Sequence, residues 1–498
     1  MRRFFIEFAL SAVGLLSPHF IILPSQTLAA QSDLIVIENQ QPGTEEWQLD
    51  LRSNDRDGQI KGYASASSVN KGGEITFYVS VNPAQTYTID IYRIGWYQGH
   101  GGRLMQHLGP FKGVLQPTCP TDPVTGLIAC DWTPAVTAAI PSSWTSGIYL
   151  ARLTNARMFQ NYVIFVVRDD NRAASLLYQQ PVTTYQAYNN YPDDHRTGKS
   201  LYTYNSSGAT TVTGDASAAK VSFDRPYTGD GSGGFLVWEI NLVRWLEKSG
   251  YDVVYSTNID THTNADRLFK YRGFLSVGHD EYWSRPMYDA VFAARDRGVH
   301  VAFFGADAVS WQARFEPSSR GIPNRVLVCY KNAALDPVDD ATLKTVGWRD
   351  PPLNRPEQTL IGVQYTSMVP WNDGYAAYVV ANSGHWVYAG TGFKDGDQVP
   401  LIVGYEANRF HPQYPEPNAA SGTYTLLSNS PFTSASRNPE FRADHANSSI
   451  YQAPSGAWIF ATGTMSWSWA LDGYGQINTV DRRIQRTTAN VLDRFIGQ

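Results

Sequence analysis

The chain has 498 residues, too many for one hydrophobic core, so at least two domains are expected. Hydrophobic residues make up 43% and charged residues only 17%, which excludes a largely disordered chain; aromatic residues reach a high 13%. A formal net charge of −5 with no long basic run excludes the electrostatic footprint of a nucleic-acid binder or of a polybasic membrane patch.

The first segment reads as a cleavable export signal over residues 1–30. Arg2 and Arg3 supply a positive start, Phe4 to Leu23 is largely apolar, and Thr27 to Ala30 offers small residues for cleavage. Pro18 and His19 interrupt the apolar run and leave it short for a bilayer span, so no transmembrane anchor is expected after processing and the protein should be secreted or periplasmic. The three cysteines form no Cys-x-x-Cys pair, which excludes a thiolate zinc cluster. Cys119 and Cys130 flank one short loop and should form a disulfide in an exported protein, leaving Cys329 as a buried thiol.

From about Ile60 to Arg168, short β-type runs (ITFYVSV, YTIDIYRIGWY, GIYLARLT, NYVIFVVRDD) alternate with turn residues. The expectation is an immunoglobulin-like β-sandwich over residues 31–170 with no catalytic constellation. Charge at VRDDNR marks a boundary at Arg168 to Arg172. Beyond it, over residues 171–498, the period changes. SLLYQQ reads as a strand, and GFLVWEINLVRWLEKSG as a helix with Leu236, Ile240, Val243 and Leu246 on one stripe, closing at Gly250. DVVYST and GFLSV follow as strands, then a helix capped by Ser284 and ending at Gly298, then VHVAFFGA. Strand, helix, strand units predict an α/β domain with a mostly parallel sheet, whose ligand should sit beyond the carboxyl ends of the strands. HWVYAG, YTLLSN and GAWIFATGTMSWSW read as further β-type runs.

Chemistry concentrates at those strand ends. Gly278-His279-Asp280-Glu281-Tyr282-Trp283 puts an imidazole and two carboxyls in one strand-to-helix turn, where Glu281 could bind a hard cation or move protons and His279 could act as acid or base. A plainer reading has Glu281 capping the next helix and His279 satisfying backbone groups. Asp307 should emerge beside this turn if its strand is a neighbour, or else form an Asx-turn. Glu406 and Glu239 are isolated carboxyls, and Asp444 and His445 resemble a fragment of a metal site. No Gly-x-Ser-x-Gly elbow, His-Glu-x-x-His helix or phosphate loop occurs.

Eight motifs in order (TYQAYNNY, KSLY, SFDRPY, RWLEKSGYDV, SVGHDEYWS, AFFGAD, WQARFE, TMSWSW) resemble the C-terminal domain of the N,N-dimethylformamidase large-subunit family, over roughly Leu176 to Leu471. The resemblance implies a glutamine-amidotransferase-like α/β domain and a mononuclear iron, taken as Fe3+, held by two tyrosines and a glutamate. Carried over by motif, the metal ligands are Tyr188, Tyr202 and Glu281, with Tyr185 a near neighbour of the first. His279 becomes the adjacent acid or base, Glu406 falls in a matching GYE segment, and Asp307 stands where the amidase pattern has asparagine. The implied function is a metal-dependent hydrolase of carbon–nitrogen bonds acting on a small-molecule amide. Two other readings stay open: a catalytically silent exported protein that binds glycans through its Trp and Tyr, and a glycoside hydrolase with paired carboxylates.

Overall fold

A computed structural model describes residues 34–370, 375–435, 442–475 and 479–498; the expected export signal lies outside the described residues. Eight strands come first: β1 (Ile60–Ala64), β2 (Ser68–Asn70), β3 (Glu74–Val81), β4 (Thr86–Ile94), β5 (Gly102–Lys112), β6 (Val136–Ala139), β7 (Gly147–Asn155) and β8 (Gln160–Arg168). They form an antiparallel sheet in the order β1-β3-β6 and a five-stranded sheet in the order β2-β8-β7-β4-β5, in which β2 runs parallel to β8. Side chains of β7 and β8 alternate between two cores. Tyr149, Ala151, Val163 and Phe165 face the three-stranded sheet, whereas Ile148, Leu150, Tyr162 and Ile164 join a second core with Leu176, Tyr178 and residues as distant as Phe495. Burial on both faces is why NYVIFVV reads as a nearly continuous apolar run.

The next strands are β9 (Leu176–Gln180), β10 (Lys220–Ser222), β11 (Val253–Thr257), β12 (Gly273–Gly278), β13 (Tyr282–Ser284), β14 (His300–Gly305), β15 (Trp311–Glu316) and β16 (Val326–Val328). Then come β17 (Gln364–Met368), β18 (Ala376–Val379), β19 (Gln398–Val403), β20 (Glu406–Arg409), β21 (Thr425–Leu426), β22 (Ser430–Thr433), β23 (Ala443–Ala446), β24 (Ser449–Gln452) and β25 (Trp458–Ala461). The largest sheet has the order β11-β9-β12-β14-β25-β24-β21, parallel from β11 to β25 and antiparallel beyond. A four-stranded sheet, β10-β16-β15-β13, is mixed, and β17–β20, β18–β19 and β22–β23 are antiparallel pairs.

This architecture corrects the expected fold class. The chain is β-rich with many mixed sheets and few helices, and it does not form an immunoglobulin-like sandwich followed by a glutamine-amidotransferase-like domain with a mostly parallel sheet. Alternating apolar residues cannot say whether a strand's second face meets water or another layer, and short runs after Glu316 carry no signal for how they pair.

Local corrections have local causes. The expected long helix divides into Phe235–Trp238 and Ile240–Lys248 because Glu239, at φ −122°, leaves the helical region. HWVYAG is a single 3-10 turn at Trp386–Tyr388, not a strand. The helix Arg285–Asp296 does start at Ser284, whose Oγ accepts from the Met287 N–H, and Gly298 follows it at φ +93°. The amphipathic helix Arg482–Ile496 closes the chain, burying Ile484, Val491, Leu492 and Phe495; full burial of such side chains is worth about 1.5–3 kcal/mol each.

A buried ion pair links the early strands to the later core: Arg93 on β4 meets both carboxylate oxygens of Glu247 at 2.7 and 2.9 Å, and Asn39 and Tyr255 donate to the same carboxylate at 2.8 Å. Cys119 and Cys130 are disulfide-bonded and Cys329 is a buried free thiol, as expected. Among the described residues no helix is long and apolar enough to cross a membrane.

Candidate active site

The turn after β12 is held rigidly by Asp280, which points away from the cleft. Its carboxylate accepts hydrogen bonds from Gln179 Nε2, Ser276 Oγ and Asn258 Nδ2, each at 2.8 Å. Gly278 adopts φ +70°, and a Cβ there would lie 2.8 Å from Glu239 Cγ, so only glycine fits the start of the turn. The Glu281 N–H donates to Thr184 Oγ1 at 2.9 Å, and the Glu281 carbonyl accepts from the Trp311 N–H. Glu281 therefore does not cap the next helix; its carboxylate faces His279.

His279, Glu281, Asp307 and Glu406 converge. His279 Nε2 lies 2.8 Å from Glu406 Oε2, 3.2 Å from Glu281 Oε2 and 3.8 Å from Asp307 Oδ2. None of these contacts has hydrogen-bond geometry, so His279 Nε2, Glu281 Oε2 and Glu406 Oε2 are buried polar atoms without a hydrogen-bond partner. Asp307 arrives from the loop after β14, which neighbours β12, in a left-handed conformation (φ +50°) fixed by its N–H donating to Asn408 Oδ1 at 2.8 Å. Glu406 enters from the first position of β20.

Two tyrosines complete the cluster. Tyr188 ends the short helix Val182–Tyr188, and its carbonyl accepts from Asn205 Nδ2 at 3.0 Å. Tyr202 donates from Oη to Glu281 Oε1 at 2.6 Å and accepts from Tyr282 Oη at 2.7 Å. The Tyr188 ring stacks on Tyr202 at 4.3 Å between centroids and lies 5.2 Å from the His279 ring. The six residues given metal-ligand or catalytic roles from the sequence therefore meet in one place, drawn from five separate segments. Asp444 and His445 do not join them; Asp444 pairs instead with Arg409 at 2.9 Å.

Charge is crowded here. Burial and then the Glu281 carboxylate raise the pKa of both Tyr188 and Tyr202 well above the ordinary phenol value. Asp307 is likewise held well above the usual carboxylate range by burial and by Glu406 and Glu281. Burial works against a charged His279, but Glu406 and the contacts to Asp307 and Glu281 outweigh it and hold the imidazolium well above 6.5. Burial also opposes ionisation of Glu281, yet His279 and Lys331 bring its pKa below the ordinary value. A site that crowds acids and phenols around one imidazole is short of positive charge, and a cation would relieve it.

Residues not foreseen in the sequence complete the surroundings. Lys331 follows β16 at φ +56° and sets its ammonium 3.4 Å from the centroid of the Tyr202 ring. Nothing in RVLVCYK distinguishes it from a surface lysine. Glu239, set aside as isolated, is fully buried behind the turn and accepts from Tyr185 Oη at 2.5 Å and Tyr178 Oη at 3.0 Å. Two cavities meet at the site, sharing Tyr188, Tyr204 and Tyr405 as a common wall. One, of about 480 Å³, reaches His279, and the other, of about 500 Å³, reaches Glu281, Asp307, Glu406 and Arg349.

The chain matches a family model described as "N,N-dimethylformamidase beta subunit-like, C-terminal" over residues 88–481, starting within β4 and well before Leu176. No curated protein sequence matches. One solved structure, "Crystal structure of trypsin activated alpha-2-macroglobulin from Escherichia coli", is similar over 25% of this chain and 8% of its own, at 11% identity and a TM-score of 0.15, too low to carry an argument.

Proposed function

The chain belongs to the N,N-dimethylformamidase β-subunit-like family, and from that membership and the buried cluster we propose that it is an exported, metal-dependent hydrolase of carbon–nitrogen amide bonds. The observation that carries this reading is the convergence of His279 Nε2, Glu281 Oε2 and Glu406 Oε2, buried at ion-pair distance without a well-formed hydrogen bond, beside two phenols. Buried polar atoms are rarely left unpaired, and carboxylates least of all.

The donor set suits a hard trivalent cation. Tyr188, Tyr202 and Glu281 would hold iron through three anionic oxygens, and Asp307 lies near enough to add a fourth: one ligand atom each from His279, Glu281 and Asp307 fall within 4.8 Å of one another. Bound there, ferric iron supplies Lewis acidity toward the amide carbonyl and toward water.

The chain's own residues do the rest. The two tyrosines must give up the protons that burial now keeps on the phenols, so loading the site releases protons and weakens in acid. Lys331, above the Tyr202 ring, favours the phenolate form. His279 Nε2 holds the proton that the departing nitrogen needs, and Glu406 Oε2 at 2.8 Å fixes the imidazolium and accepts the proton taken from water. Asp307, 3.8 Å from His279 Nε2, adds a further carboxyl beside the site. The disulfide and the expected export signal support an extracytoplasmic setting.

The test is hydrolysis of N,N-dimethylformamide and N-methylformamide by iron-loaded protein, with amine release as the readout. Turnover that disappears in His279→Ala supports the reading; an iron-loaded wild type without activity on either amide goes against it.

A further inference from the structure

We propose that Arg225 is a positioning residue for the metal site, tying together the two stretches of chain that carry Tyr188 and Tyr202. This rests on the metal-dependent reading above and adds to it a residue that acts only through the two tyrosines.

The need for a tie comes from where the tyrosines sit. Tyr188 is the last residue of the helix Val182–Tyr188, and Tyr202 lies in the irregular stretch between that helix and β10, whose one regular element is the 3-10 turn Thr203–Asn205. No strand pairing fixes the spacing of the two phenols. Ligands to one ion have to be held to a fraction of an ångström, and a loop has no ladder of hydrogen bonds to do it. Two direct links join the stretches: the Leu201 N–H donates to the Ala187 carbonyl at 2.9 Å, and Asn205 Nδ2 donates to the Tyr188 carbonyl at 3.0 Å.

Arg225 supplies the widest link. Its side chain is buried, and its guanidinium donates to carbonyls on both stretches: Nη2 to Asn189 at 2.6 Å, and Nη1 to Lys199 at 3.0 Å and Tyr191 at 3.2 Å. Asn189 follows Tyr188 directly, and Lys199 comes shortly before Tyr202. A planar fork with donors on two nitrogens spans such a gap, which a single amide or hydroxyl does not. Among the described residues no carboxylate pairs with Arg225; that of the adjacent Asp224 is taken by Arg325 at 2.9 Å. A buried guanidinium without a counter-charge costs more than a neutral bridge. What it adds is charge-assisted hydrogen bonds, about twice as strong as neutral ones, and with them a fixed spacing between the ligand-bearing stretches. Arg225 is itself anchored: β10 pairs with β16 just before it, and the Pro226 carbonyl just after it accepts from Asn189 Nδ2 at 2.9 Å.

The experiment measures iron affinity, by competition with a chelator, and the phenolate-to-iron absorption band in two variants. Arg225→Met removes all three hydrogen bonds, and Arg225→Lys keeps the charge without the fork. Glu247→Ala, which breaks a buried ion pair outside the site, is the control for lost stability alone. Arg225→Met should keep the circular dichroism of the wild type, bind iron at least about tenfold more weakly and show a displaced band; Arg225→Lys should fall between the two. Glu247→Ala should have a lower urea midpoint with the affinity and band of the wild type. Should Arg225→Met fail to fold, weaker iron binding and a displaced band in folded Arg225→Lys carry the test. Wild-type affinity and band in the folded Arg225 variants, an equal loss in Glu247→Ala, or failure of both Arg225 variants to fold makes Arg225 a residue of the fold alone; each overturns the proposal and leaves the iron site standing. Wild type that cannot be loaded with iron removes the metal-dependent reading and the proposal with it.

Discussion

Replacing Glu239 by glutamine should remove a pH dependence from the stability of the fold. The carboxyl is fully buried, and burial pushes its pKa up to about 8 from 4.5, against the hydrogen bonds donated by Tyr185 and Tyr178. The folded protein thus keeps a proton that the unfolded chain releases near pH 4.5. The stabilisation is complete below that pH and is lost as pH rises toward 8, because a folded-state pKa above the unfolded value favours the folded state only while the proton is bound. At about 1.4 kcal/mol per pH unit, the interval from 4.5 to about 8 corresponds to roughly 5 kcal/mol. Glutamine keeps the shape and one acceptor for the tyrosine hydroxyls but does not titrate. Urea unfolding of both proteins at pH 5, 6, 7, 8 and 9, at fixed ionic strength, should show the wild type losing several kcal/mol relative to the variant across the series. Parallel stability curves for the two proteins would refute the reasoning.

Other outcomes follow from the same structure. Glu281→Ala should lose most bound iron, since it removes one of three anionic ligands, whereas His279→Ala should keep iron and lower kcat by about 10²–10⁴-fold; metal analysis beside turnover separates the two roles. Thiol titration of the unfolded, unreduced protein should find Cys329 alone, and Cys119→Ala with Cys130→Ala should cost about 3 kcal/mol of unfolding free energy, a loss seen as a lower urea midpoint. Glu247→Ala should destabilise by about 3–5 kcal/mol because it leaves Arg93 buried and uncompensated; an unchanged thermal midpoint would show that the pair carries no such role.

Much of the candidate site was legible in the sequence because its chemistry is local. GHDEYW places His279 and Glu281 on one turn, and strands before and after it could be recognised from apolar runs with a cap at Ser284 and a glycine stop at Gly298. The meeting with Tyr188, Tyr202 and Glu406 was not local. It depends on the helix Val182–Tyr188, a loop held by Ser200 and Asn205, and the pairing of β17 with β20, none of which carries a periodic signal; family motifs alone pointed to them. Lys331 and Glu239 were invisible or set aside, since a single charged residue beside an apolar run says nothing about whether it turns inward. The fold class failed for a related reason. Alternation in β7 and β8 records two buried faces, not one, and the second layer that buries them comes from residues far along the chain.

Metal content together with the visible spectrum of the purified protein tests the central claim most directly. The account predicts bound iron and a phenolate-to-iron absorption band that is lost or strongly shifted in Tyr202→Phe and in Tyr188→Phe. Colourless, iron-free protein that cannot be loaded with iron, or a band indifferent to both substitutions, would contradict it.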